Sequence, residues 1–475
     1  MRAVPTIIAT CIYLTGCAGD EGIEDGETDD FTAADGKADG YDLSEPQALA
    51  VMELAGTLTE AQLKSDAGVA SRAARAIATY RAGADRRLGT ADDQAFDSLV
   101  ELDALAYVGP RTLENLLASA ETRGVLDEGA LGRHDVSILV PVPATGDLPW
   151  KASLPGKGGA LLPKSAFDKI GRSVFNAVPE PGEYDALRVV AVRFDPCFTT
   201  SLTAACQPQV RLVFQALDGE GGTFDGAVHA LYNLSADQHA DVVARLRALE
   251  DKAPQNRAYA PLGINPALKA QGMTGAYATG LAKIITDHAG PATLARMTFV
   301  TRTLARQGQW ELGGFHIKAT AATGFPAPGA IKIIGNETLQ VLGNGGFGGG
   351  HRYTITPDLA DPAGRTGTDS LAIPALSATA KKQLSAWALA QQSPLATVPD
   401  TTDCSSCHIA GHVSNALEAA DPRLVSLDRG PRVIAGAERT GDNLRSFGYF
   451  GAEPVIAIRT ANETSAVLRA IAAQR

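Results

Sequence analysis

Positive charge is in short supply in this chain: 42 Lys and Arg stand against 53 Asp and Glu, a formal net charge of −11. That balance argues against a protein whose main business is neutralising phosphates, and it leaves nucleic acid the weaker class of partner. The apolar run at the start, from Ala3 to Leu14, is too short for a membrane-spanning helix and reads as a secretory signal behind Arg2. Methionine is scarce at four residues, and none follows Met297. No Ser-His-Asp order, nucleotide loop or paired-carboxylate signature stands out, so no catalytic machinery is legible. What is present is ordinary globular composition, 45% apolar and 20% charged, which excludes bulk disorder. At 475 residues the chain exceeds what one core usually organises, so two or three domains are expected.

The six cysteines divide by context. Cys11 lies in the signal, over 1–16. Leu14-Thr15-Gly16-Cys17 resembles the lipobox of bacterial lipoproteins, and that resemblance implies lipidation of Cys17 as the mature N-terminus, export, and an outer-membrane anchor. Residues 17–44 are acidic and Gly-rich with almost no large apolar side chains, the composition of a solvated tether. Cys197 and Cys206 read as a local disulfide in an oxidising compartment. Cys404 and Cys407 remain.

From 45 to 126 the apolar spacing is helical. "GVASRAARAIATYR" and "LDALAYVGPRTLENLL" resemble a tandem helix-hairpin-helix module of the competence-protein type, which implies an all-α N-terminal domain. The match is partial, with Gly68 and Gly109 kept but Ala70 and Tyr107 at the other two hairpin glycines, where a side chain hinders close phosphate approach. Nucleic-acid binding through Lys64, Arg72, Arg75 and Arg111 is the lesser expectation, a structural or protein-docking role the greater.

Over 127–396 short β-like runs come in succession, among them "ALRVVAVRFD", "QVRLVFQAL", "DGAVHALYNL" and "ARMTFVTRTL", so an α+β, mainly antiparallel domain is expected. Gly343, Gly345 and Gly348 have dinucleotide-loop spacing, but a strand-like run follows them, and the fingerprint must open a helix. A hairpin loop is the reading.

The segment 397–475 carries "CSSCH". Two thiols one helical turn apart followed by an imidazole is the spacing of covalent haem attachment. A zinc site recruiting Cys404, Cys407 and His412 lacks a second ligand pair. A redox disulfide lacks a βαβ context. The motif and the helix after it resemble c-type cytochromes. That resemblance implies a helical haem segment with one covalent haem c, Cys404 and Cys407 as thioether cysteines and His408 as proximal iron ligand. A downstream methionine ligand is missing, and His412 lies one turn beyond His408 on the same helix. His229, His316, His351, Met273 and Met297 are the candidates for the sixth position, with His229 and His351 foremost. A histidine there gives a closed, electron-carrying iron; an open position would permit peroxide chemistry. A di-haem peroxidase needs a second C-x-x-C-H, which the sequence lacks. Arg423, Arg429, Arg432, Arg439, Arg445 and Arg459 are either propionate partners or solvated charge. The expectation is electron transfer at the cell envelope with an unspecified redox partner. The alternative is a surface binding lipoprotein in which the cysteine motif is structural.

Overall fold

The structure is a computed structural model. It describes most of residues 43–125, 131–171, 181–198, 205–250, 262–303 and 309–319, short strands within 326–356, and most of 372–421 and 444–474. Residues 1–42, Cys17 among them, and His351, Gly345, Gly348, Arg423, Arg429, Arg432 and Arg439 lie outside the described residues, so the expected signal and all but the end of the expected tether fall there.

The centre is one antiparallel sheet. Its strands are β1 (Ser137–Leu139), β2 (Leu187–Phe198), β3 (Gln207–Ala216), β4 (Ala227–Asn233), β5 (Leu294–Thr303), β6 (Gln309–Ala319), β7 (Pro326–Ala330), β8 (Gln340–Asn344) and β9 (Tyr353–Thr356). They run in the order β1-β2-β3-β4-β5-β6-β8-β9, with β7 also paired to β6. β8 and β9 form a hairpin in which Gly343 pairs with Thr354, so the glycine-rich segment joins two strands. A last hairpin, β10 (Phe447–Phe450) with β11 (Glu453–Ile456), stands apart from the sheet's hydrogen-bonded ladder.

Alternation along the strands decides what each face carries. In β3, Val210, Leu212 and Phe214 join the largest apolar core, together with Val228, Ala230 and Tyr232 of β4. Helices α9 (Ala236–Glu250), α10 (Pro266–Gln271) and α11 (Ala276–His288) supply the rest of that layer. Arg211, Val213 and Gln215 therefore point to the other face. That face is covered near β5 and β6 by α12 (Ala378–Gln392) and α13 (Cys404–Ala420), through Leu384, Trp387, Ile409, Val413 and Leu417 packed on Val300, Trp310 and Leu312. The spacing 409, 413, 417 is one helical stripe. Near β2 and β3 the cover is the β10–β11 hairpin, with Phe447, Tyr449 and Ile456 against Val190, Ala191 and Val213, and the terminal helix α14 (Ile458–Ala472). Tyr449 donates to the Val140 carbonyl at 2.7 Å, and its own N–H donates to Gln215 Oε1 at 2.8 Å.

Two expectations about fold class are corrected. First, the helices α1 (Glu45–Thr57), α2 (Glu60–Ser65), α3 (Ser71–Arg81), α4 (Leu99–Asp103) and α5 (Pro110–Arg123) do not stand as an all-α domain of their own. They keep a private apolar cluster, but the chain from Gly36 to Arg475 is one compact unit of mixed α/β character. Arg133, at the start of the short helix α6 (Arg133–Val136), is the physical tie. Its buried guanidinium donates to the Phe96 carbonyl on one side and to Ser465 Oγ of α14 at 3.0 Å on the other. The small helices α7 (Lys164–Phe167) and α8 (Glu183–Ala186) complete the set. Second, 397–475 is not a separate helical segment. It contains a β hairpin, and α13, the hairpin and α14 are the lid of the sheet's second face; an uncovered apolar face would cost more than any division into domains along the chain.

The helix-hairpin-helix positions fold as two like turns. Gly68 has φ +65° and Tyr107 φ +69°, a left-handed conformation that disfavours a residue with Cβ. Tyr107 is exposed, with the Arg72 guanidinium 5.5 Å over its ring. Lys64 pairs with Glu60 at 3.0 Å, and Arg75 lies 3.9 Å from the same carboxylate. Arg111 is exposed.

Candidate functional site

Between the second face of the sheet and its lid lies a cavity of about 630 Å³. Cys404, Cys407 and His408 line it from the first turns of α13, and His229 lines it from β4. Helical spacing explains the first three: positions i, i+3 and i+4 share a face, while the 409, 413, 417 stripe faces the apolar layer. Cys404 and Cys407 are partly buried thiols, not joined in a disulfide. A disulfide does join Cys197 to Cys206 at the end of β2, and Cys197 borders the same cavity.

The ring of His408 is oriented by the chain just ahead of the hairpin. Its Nδ1 lies 2.5 Å from the Leu444 carbonyl, so Nδ1–H donates there and Nε2 is the free nitrogen. Leu444 is itself fixed. Arg445 bonds both the carbonyl and the carboxylate of Asp225, and Trp310 Nε1 donates to the other Asp225 oxygen at 2.9 Å. Burial pushes the His408 imidazole below its ordinary value; the Leu444 bond opposes this and the charge of Arg445 adds to it. Burial pushes His229 down, to about 3, with His408, Arg445 and Arg211 adding to it. Both imidazoles are neutral at neutral pH, as a metal ligand must be.

Strand register builds the floor. Arg193 of β2 pairs with Arg211 of β3, Arg211 with Leu231 of β4, and Leu231 with Arg296 of β5, a row across four strands. The neighbouring row is Val213, His229 and Thr298. His316 continues the arginine row on β6, opposite Arg296, and does not line the cavity. Met297 is buried in the core of the opposite face and so is Met273. His412 is buried on α13 one turn past His408 and does not line the cavity.

Four arginines, Arg193, Arg211, Arg296 and Arg459, and two carboxylates, Asp195 and Glu463, line the cavity, leaving two positive charges in excess. Glu463 of α14 is the hub. Arg459 Nε reaches its carboxylate at 2.7 Å, Arg193 bonds the other oxygen, and Arg211 lies 3.6 Å away. Burial alone would push this carboxyl up, but Arg459, Arg193 and Arg211 outweigh it and hold it down at about 2. Arg193 spends its remaining donors on Ser137 Oγ, the Thr460 carbonyl and Thr464 Oγ1. Arg459 spends its own on the carbonyls of Gln391, Ser393 and Thr397, fixing the loop that leads into Cys404. Arg211 bonds Asp195 but leaves Nε buried without a hydrogen-bond partner.

Reasoning from sequence singled out the arginines after the motif and missed Arg193, Arg211, Arg296 and Glu463. The signal was there: "AVRFD", "VRLVF" and "LARMTF" each place an arginine inside an otherwise apolar strand, where a charge must have a buried counterpart. Among the described residues no group of three His, Cys, Asp or Glu side chains is arranged to hold a metal ion by itself, and no helix is long and apolar enough to cross a membrane. Comparison with protein-family models, curated proteins and solved structures finds no match to this chain.

Proposed function

We propose that this protein is an exported lipoprotein that binds one covalent c-type haem in the cavity beneath α13 and serves electron transfer at the cell envelope. The observation that carries the reading is that both thiols and the imidazole of the C-x-x-C-H motif face one cavity, with His408 already oriented by a backbone carbonyl. A metal-ligating histidine commonly donates its other ring N–H to such an acceptor, which fixes the tautomer and raises ligand basicity.

The residues present fit the group. Cys404 and Cys407 would hold it by thioether bonds, and His408 Nε2 would ligate iron. The excess of two positive charges in the wall matches the two propionates of a haem, and Arg211 Nε is the buried donor left over to meet one of them. Apolar and aliphatic wall residues such as Val213, Leu231, Val398 and Val467 would exclude water from the macrocycle. When bound, the group supplies one-electron redox chemistry, its potential set by axial ligands, burial and nearby charge. What the chain itself does is bind, orient and desolvate. Lipidation at Cys17 and the acidic tether would hold the folded unit off an outer-membrane surface, for a redox partner not specified by the cavity.

The test is expression of the full chain, with its signal, in a host carrying c-type maturation machinery. A reduced pyridine haem spectrum of the c type that is lost in the Cys404→Ala, Cys407→Ala double variant supports the reading. A colourless exported protein sinks it.

A further inference from the structure

We propose that His229 is the second axial ligand, closing the iron between α13 and the floor of the sheet. This rests on the haem reading above and specifies which iron chemistry the site permits.

Three observations converge on His229. Strand alternation puts it on the cavity face of β4, in a row with Val213 and Thr298, neither of which carries a charge. Among the described residues, only two histidines line the cavity, and the other is His408 on the opposite wall. The His229 ring is also part-buried on the cavity wall, where a bound group can reach it. A neutral imidazole on a cavity wall has a ring nitrogen able to ligate iron.

Met297, His316 and His412 are placed elsewhere, and His351 lies outside the described residues. Met297 pairs with Ala230 and Phe315, one residue out of phase with Thr298, so its thioether lies in the core behind the sheet. His316 lies outside the cavity lining, and His412 belongs to the same helix as His408. A histidine on each side leaves no open coordination position. The site then carries electrons and does not activate peroxide or bind diatomic gases.

The experiment compares the exported haem-loaded full chain with His229→Ala and His229→Met. Covalent haem per protein is read by the pyridine assay, spin state by electron paramagnetic resonance, carbon monoxide binding by the visible spectrum of the reduced protein, and reduction potential by redox titration. Wild type is expected to be low-spin and to bind no carbon monoxide. His229→Ala should keep its covalent haem, become high-spin, gain carbon monoxide binding, and return to low-spin on addition of imidazole. His229→Met should remain six-coordinate with a higher reduction potential, and it guards against misfolding of the alanine variant. A wild type that is high-spin or binds carbon monoxide overturns the proposal. So does a haem-loaded His229→Ala or His229→Met indistinguishable from wild type, which would hand the position to another residue while leaving the haem reading intact. A wild type without covalent haem removes both.

Discussion

Replacing Glu463 by Gln tests the charge arrangement of the cavity independently of any bound group. The carboxylate is held at about 2 against an ordinary glutamate value of 4.5, a difference worth about 3 kcal/mol of folding stability. The folded value is depressed, so this stability is fully present above pH 4.5 and is lost as pH falls through about 2. Linkage gives about 2 of those 3 kcal/mol gone by pH 3. Glu463→Gln forfeits the pairing outright and leaves Arg193, 5% exposed, without its counter-charge. The full chain carrying Glu463→Gln should therefore unfold in urea with about 3 kcal/mol less stability than wild type at pH 7, and the gap should narrow to about 1 kcal/mol at pH 3. A gap of equal size at both pH values would refute the electrostatic account and reduce Glu463 to packing. No gap at pH 7 would refute it more directly.

Three further outcomes are expected. Asp225→Ala removes the partner of Arg445, 4% exposed, and of Trp310; it should cost about 3–5 kcal/mol in urea unfolding, and a loss under 1 kcal/mol would show that the 444–446 chain is held by other contacts. The Cys197→Ser, Cys206→Ser double variant opens a loop of sequence separation 9 and should lose about 2–3 kcal/mol, measured by urea unfolding under non-reducing conditions against wild type. Gly448→Ala sets a Cβ 2.5 Å from Gln215 Oε1, the acceptor of the Tyr449 N–H; thermal unfolding should show a loss of about 1–3 kcal/mol, and an unchanged midpoint would mean the hairpin relaxes freely.

How much was legible in the sequence differs between the strands, the lid and the site. The runs at 187–198, 207–216, 227–233 and 294–303 are readable because period-two alternation is a local property. Cys404, Cys407 and His408 are readable as a motif, and helical spacing explains why they share a wall. The division into an all-α N-terminal domain and a helical C-terminal segment failed for a physical reason. Local spacing marks α1–α5 and α14 as helices, yet contains nothing of Arg133 joining Phe96 to Ser465, or of Tyr449 reaching Gln215. Those contacts span 37, 332 and 234 positions. His229 stood among several candidates until register separated it from Met297, since a shift of one residue reverses the face of every side chain on a strand.

Glu463, in α14 near the end of the chain, contacts Arg193 at a separation of 270 positions, and the cavity wall shares that long reach. Closure of so distant a loop is entropically slow. Cys404 and Cys407 therefore stay accessible until the sheet floor and α14 meet around them. Arg459, which grips the loop ahead of Cys404 from α14, acts as a latch on this timetable: the docking of α14 ends access to the cysteines.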